Sequence, residues 1–224
     1  SAGSIAYRSF TVLRTVVGNN KPVLSWSDYD IPHRLIGYLG YRQEYGGERG
    51  GATQVYLSYA GAQSARYSYV YAGDMNGDGI QNNDLLFVPQ KGSDLSWEEY
   101  SVTQSNGTKT TFSATDQAAA FDAFIEQSDY LREKRGGYSE RNGLLYPWLH
   151  RFDLSFVQEF YLTIGERKNT LQLRLDMFNV GNFINSDWGI GNTLVTDRPL
   201  SFRKVVDGVP VYRLATQNIN GTTS

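Results

Sequence analysis

The chain has 224 residues, no cysteine, 21 Lys and Arg against 23 Asp and Glu, and a formal net charge of -2 with pI near 5.7. That balance excludes the basic field a nucleic-acid partner needs, and the missing cysteine removes disulfide frameworks, thiolate zinc sites and thiol nucleophiles together. The length suits one β domain, and the absence of any run of about eighteen apolar residues excludes a transmembrane helix but not a transmembrane barrel, whose alternating strands average out as polar.

The opening SAGSIAYRSF lacks the charged start and apolar run of a signal peptide, so the sequence reads as mature, cytoplasmic or a fragment. Residues 5–17 read as a strand, broken by Gly18-Asn19-Asn20-Lys21-Pro22, and 26–32 read as loop. Residues 33–45 alternate, with Leu35, Leu39, Tyr41 and Tyr45 on one face and Arg34, Arg42 and Glu44 on the other. After the turn glycines Gly46, Gly47, Gly50 and Gly51, residues 53–61 repeat the scheme with Val55, Leu57 and Tyr59 against Gln54, Tyr56 and Ser58, which predicts a hairpin.

Residues 67–71 continue as a short strand, and 72–149 is mostly not strand. Such a length of loop is uncommon inside a compact soluble domain and normal on the outer side of an outer-membrane barrel. Within it, 115–127 is the one helix, with Thr115 as N-cap or flank and Phe121, Phe124 and Ile125 at helical spacing over a local apolar patch. Residues 130–142 are charged and mixed in sign, as in a solvated loop.

The sharpest pattern lies in 147–180. Phe152, Leu154, Phe156, Phe160 and Leu162 share one face, opposite Asp153, Ser155, Glu159 and Tyr161. After a polar turn containing Gly165, Leu171, Leu173, Leu175 and Met177 oppose Gln172, Arg174 and Asp176. This hairpin suits a sheet with lipid on one side and water on the other, and on periodicity alone it suits equally a sheet with its apolar face on an ordinary core. Beyond it, 179–189 is turn-rich, 195–206 and 209–216 are weaker strands broken by Asp207-Gly208, and 220–224 is a polar tail.

Two features bear on chemistry. His33 and His150 each precede an arginine at the start of a predicted strand, a repeated local grammar that suits a structural role rather than catalysis. The run Asp74-Met75-Asn76-Gly77-Asp78-Gly79-Ile80-Gln81-Asn82-Asn83-Asp84 opens like a calcium loop, with Asp74, Asn76 and Asp78 at alternate positions before Gly79, and with the Ile80 carbonyl, Asn82 and Asp84 as further oxygens. Leu85 stands where a bidentate acid belongs, no helices flank the run, and an Asn- and Asp-rich tight turn fits the same residues. No nucleophile elbow, phosphate loop or metal-ligand histidine spacing occurs, so the expectation is a protein that is not an enzyme.

The motifs resemble the β-barrel of TonB-dependent outer-membrane receptors, in the Oar-like branch with an N-terminal carboxypeptidase-regulatory-like domain. The resemblance rests on Tyr67-Ser68-Tyr69-Val70-Tyr71 leading into Gly73-Asp74-Met75-Asn76-Gly77-Asp78-Gly79 and Asn83-Asp84-Leu85-Leu86-Phe87-Val88-Pro89. It continues through Phe121-Asp122-Ala123-Phe124, Tyr138-Ser139-Glu140-Arg141-Asn142-Gly143, Arg151-Phe152-Asp153-Leu154, Asn169-Thr170-Leu171-Gln172-Leu173 and Asp176-Met177-Phe178-Asn179-Val180-Gly181-Asn182, covering about 29–189 in order.

The resemblance implies an all-β fold: an antiparallel transmembrane segment of a 22-stranded barrel, with long extracellular loops and one short loop helix, in the outer membrane of a Gram-negative bacterium. It implies the C-terminal portion of such a barrel over 1–224, with a long extracellular loop at about 72–149. The implied partners are the plug and remaining strands, the TonB complex, outer-membrane lipids and a surface lipoprotein. Asp153, Glu159, Gln172, Arg174 and Asp176 would then face the lumen. The chain departs from the family in having no plug, no TonB box, too few strands to close a barrel and no terminal aromatic strand. A soluble secreted β-sandwich that binds glycans and is stabilised by calcium is the alternative.

Overall fold

The computed structural model describes residues 13–21, 23–63, 65–104, 106–191, 194–216, 218–219 and 222–223. In chain order the strands and helices are β1 Arg34–Tyr45, β2 Gly51–Gln63, β3 Arg66–Tyr67, β4 Tyr71–Ala72, β5 Phe87–Val88, β6 Ser96–Trp97, β7 Tyr100–Thr103 and β8 Lys109–Phe112. There follow α1 Ala114–Glu126, α2 Asp129–Glu133, β9 Gly137–Tyr138, β10 Leu144–Leu145, β11 Trp148–Ile164, β12 Arg167–Met177, β13 Leu200–Val206, β14 Val209–Leu214, β15 Asn218–Ile219 and β16 Thr222–Thr223. Among the described residues the chain is therefore mostly β with two α-helices, and it divides into two compact units, 29–65 with 145–193, and 1–28 with 66–144 and 194–224.

The first of these units is an antiparallel sheet in the order β1-β2-β11-β12. Both expected hairpins form, and β2 pairs with β11 to join them, so that Leu57 lies between Leu39 and Leu154, and Val55 between Tyr41 and Phe156. The apolar sides of the two hairpins thereby become one face across four strands, continued by Phe156 opposite Leu175 and Phe160 opposite Leu171. The β2–β11 pairing joins residues some ninety apart in sequence, and no local period announces it.

Turn chemistry sets the register. β11 and β12 are joined by Gly165 and Glu166 alone, with Gly165 at φ 62, the two-residue connection that wants glycine at its first position. Between β1 and β2 the glycines are compulsory, because a Cβ on Gly50 would sit 1.7 Å from the Tyr45 carbonyl oxygen. Within the sheet Tyr56 lies across Gly40, where a Cβ would meet its ring at 2.8 Å, so the ring covers the gap the glycine leaves.

The second unit has its own core, in which Phe121, Ile125, Leu86, Val88, Leu131 and Leu200 are fully buried and Tyr69, Tyr71 and Tyr212 nearly so. Here the sheet is mixed: β13 and β14 pair antiparallel across Asp207-Gly208, while β4 runs parallel to β13 and β6 parallel to β14. Asp207 at φ 51 and Gly208 at φ 80 make the two-residue left-handed turn favoured by Asp-Gly.

Several expectations are corrected. The strand over 5–17 is not present at 13–17, where Thr15 makes only an isolated bridge to Asp84, and 5–12 lie outside the described residues. The single loop helix is two. α1 is capped by Ser113 rather than Thr115, its hydroxyl accepting from the Asp116 amide at 3.1 Å. α2 starts at Asp129, runs into the 130–142 stretch read as solvated loop and buries Leu131. The interval 72–149 does lack long strands, yet it is packed, because Phe121 and Ile125 from α1 are joined in the core by side chains from short segments that show no period, such as Leu86, Val88 and Leu131. In the tail, β15 pairs with β16.

Candidate functional site

The residues singled out by sequence fall into two places, one in each unit. In the sheet unit, Arg42, Gln54, Ser155, Glu159, Gln172, Arg174 and Asp176 share the face opposite the leucines, as the alternation requires. Glu159 is the hub. Its carboxylate accepts from Arg42 at 3.2 Å, from Gln54 at 3.0 Å, from the Tyr161 hydroxyl at 3.2 Å and from Gln172 at 3.3 Å. Arg174 and Asp176 pair along β12 at 2.9 Å. Asp153 holds Arg151 at 3.0 Å and accepts the Asn179 amide at 2.8 Å, which fixes the exit of the chain from β12.

Asp153, Ser155, Arg174 and Asp176 line an open recess of about 410 Å³ together with Tyr38, Tyr56, Ser58 and the apolar Leu154, Val157, Met177 and Phe178. The charged members of this polar wall pair with one another, while the buried Ser155 hydroxyl is without a hydrogen-bond partner among the described residues. On the other face His150 takes a structural place, 2.8 Å from the Tyr59 hydroxyl through Nδ1 and stacked on Trp148. His33 lies exposed before β1.

In the second unit the 74–84 loop is built on hydrogen bonds to its own backbone. Asp74 accepts from the amides of Gly77 at 2.8 Å, Asp78 at 3.2 Å and Gly79 at 2.9 Å. Asn76 accepts from Asp78, Asp78 from Ile80, and Asn82 from Gly73. Asp84 closes the loop, with one oxygen accepting from Met75 at 2.6 Å and Asn76 at 3.3 Å and the other without a partner. Burial pushes the Asp84 carboxyl above its ordinary value against those two amides, and the charges of Asp78 and Asp74 push the same way.

Among the described residues no three His, Asp or Glu side chains gather closely enough to hold a metal ion. The side-chain oxygens of Asp74, Asn76, Asp78 and Asn82 are turned to amides, the geometry of an Asx-rich tight turn.

Sequence reasoning missed Gln117. It is 2 % exposed, donates to the carbonyls of Glu98, Phe112 and Ser113, and accepts the Leu214 amide at 3.1 Å. Its place one turn before Phe121 and two before Ile125 is the only signal the sequence carries. Comparison with protein families, characterised proteins and solved structures yields no match.

Proposed function

We propose that this chain forms part of the barrel wall of a TonB-dependent outer-membrane receptor, which takes up a ligand and catalyses no reaction. The observation that carries the reading is the four-stranded sheet. Its strands are 12, 13, 17 and 11 residues long, enough to cross a bilayer, for which about 9–11 residues suffice. One face carries the Glu159 network, and the other leaves Leu35, Leu39, Tyr41, Phe160, Leu162, Leu171, Leu173 and Leu175 in the open, Leu39 at 69 % and Leu173 at 57 % exposure.

Leaving that face in water would forgo on the order of 10–20 kcal/mol of burial, as much as the whole stability of an ordinary domain. A lipid surface removes the deficit. A β-sandwich would need a second sheet about 10 Å above the same face, which the exposure of these leucines disfavours.

Among the described residues β1 and β12 each have one neighbour in this sheet, and long unpaired edges are tolerated in lipid only when further strands close the barrel. Both tight hairpin turns, at 46–50 and 165–166, lie at one end of the sheet, and the connection from β2 to β11 leaves from the other. Short turns on one side and long excursions on the other are the habit of outer-membrane barrels. In this reading the polar face lines the lumen beside a plug, lipids cover the leucines, and 72–149 belongs to the extracellular side, where a surface lipoprotein could meet it. The TonB complex engages another part of the receptor.

The test is an immunoblot of the native source cells with an antibody to residues 130–142 after envelope fractionation. A band in the outer membrane, extracted only by detergent, is expected. A water-soluble band in the absence of any membrane-bound one overturns the assignment.

A further inference from the structure

The second unit contains a recess of about 360 Å³ whose wall includes Tyr71, Phe87, Tyr138, Tyr212, Met75 and Asp84. We propose that it binds a small organic ammonium ion. The recess lies wholly in the unit containing 66–144, whether or not the sheet of the other unit lies in a membrane.

Three observations converge on a cation. The first is the character of the lining, in which Tyr71 and Tyr212 stack at 5.5 Å, Tyr138 meets the edge of Phe87 at 5.2 Å, and the Tyr212 hydroxyl donates to the Met75 sulfur at 3.7 Å. Aromatic faces and a polarisable thioether favour positive charge. The second is the sign of the fixed charge. Asp84 is 2 % exposed with one carboxylate oxygen unpartnered, and Asp74 and Asp78 add negative charge in the same loop. None of the three acids has an ion-pair partner among the described residues, and no Lys, Arg or His lines the recess.

The third is access. Tyr138 is 48 % exposed, and its hydroxyl makes no hydrogen bond among the described residues, so a ligand can reach the ring from solvent. Among the described residues no three His, Asp or Glu side chains gather here to hold a metal ion. A quaternary ammonium ion is weakly hydrated and sheds water readily, a primary one is more strongly hydrated but brings N–H donors, and both find attraction in rings with a buried carboxylate behind them. The volume suits a ligand of several heavy atoms. The ammonium group could belong to a free amine or to a lysine side chain of a peptide.

The test is isothermal titration of the full chain in detergent with tetramethylammonium, n-butylammonium, Nα-acetyl-lysine amide and the uncharged 3,3-dimethyl-1-butanol. The ammonium probes should bind and the alcohol should not. A tighter grip on the lysine amide than on n-butylammonium assigns a peptide source, and the reverse a free amine. Tyr138→Ala should weaken binding by about 2- to 30-fold, the span of one cation–aromatic contact. Asp84→Asn, which keeps an acceptor for the Met75 and Asn76 amides, should abolish it with the melting temperature retained.

Equal binding of the alcohol, or unchanged affinity in Tyr138→Ala, overturns the proposal. So does a thermal shift on adding calcium that Asp84→Asn removes, with no response to ammonium, because the acids would then serve a metal.

Discussion

At the scale of single residues, the second unit is held by polar side chains buried where their partners are backbone groups. Gln117 joins the carbonyls of Glu98, Phe112 and Ser113 to the amide of Leu214. Truncating it leaves buried donors and acceptors unmet, at roughly 1–3 kcal/mol for each group stranded. Gln117→Ala should therefore speed hydrogen exchange of the Leu214 amide by at least tenfold, and unchanged exchange would mean that water replaces the side chain without loss.

Asp84 makes a second residue-scale prediction, with a sign fixed by linkage. Its carboxyl is raised in the folded chain above the ordinary 3.8, so its stabilising contribution is complete below that value and is lost as pH rises through the folded value. Urea midpoints should fall with rising pH over the mildly acidic range, and Asp84→Asn should flatten that slope. A slope that survives the substitution would show that another group titrates there.

At the scale of elements, alternation did most of the work. The face assignments of β1, β2, β11 and β12 were readable because each strand keeps a two-residue period for at least five positions, and a one-residue slip would put leucines on the polar side. Leu173 faces away from the Glu159 network, between Gln172 and Arg174, which face it. In a bilayer Leu173→Arg should cost roughly 2–4 kcal/mol, whereas Gln172→Leu should cost only its 3.3 Å bond to Glu159. Urea titration of both variants in lipid vesicles decides it, since equal midpoints would mean the leucine face does not meet lipid.

The elements of the second unit were less legible for a physical reason. β3 to β6 and β9 have two residues each, too few to show any period, and they are fixed by long-range pairing such as Phe87 with Tyr138. The sequence did disclose α1, because a helix repeats its signal over 13 residues. The turn at 74–84 was visible as a constellation of Asp, Asn and Gly, but only hydrogen-bond directions show that its oxygens face amides. Nothing in the residues 71 and 212 foretold that their rings would stack.

At the scale of the whole molecule, the polar and apolar halves of the sheet's surface set its environment more firmly than any single site. The register has a further consequence. Gln63 at the end of β2 pairs with Trp148 at the start of β11, so the excursion over 64–147 leaves and returns at neighbouring points of one sheet. Loop closure grows only as the logarithm of length, and the sheet is nearly indifferent to what lies between those two residues. Such a junction is a natural place for one insert to be exchanged for another during descent. The core sets the condition on that exchange: Leu200 and Tyr212 from β13 and β14 are buried with Phe121 and Leu86. An incoming insert would have to arrive together with its own version of that downstream hairpin, so the two segments should be inherited as a pair.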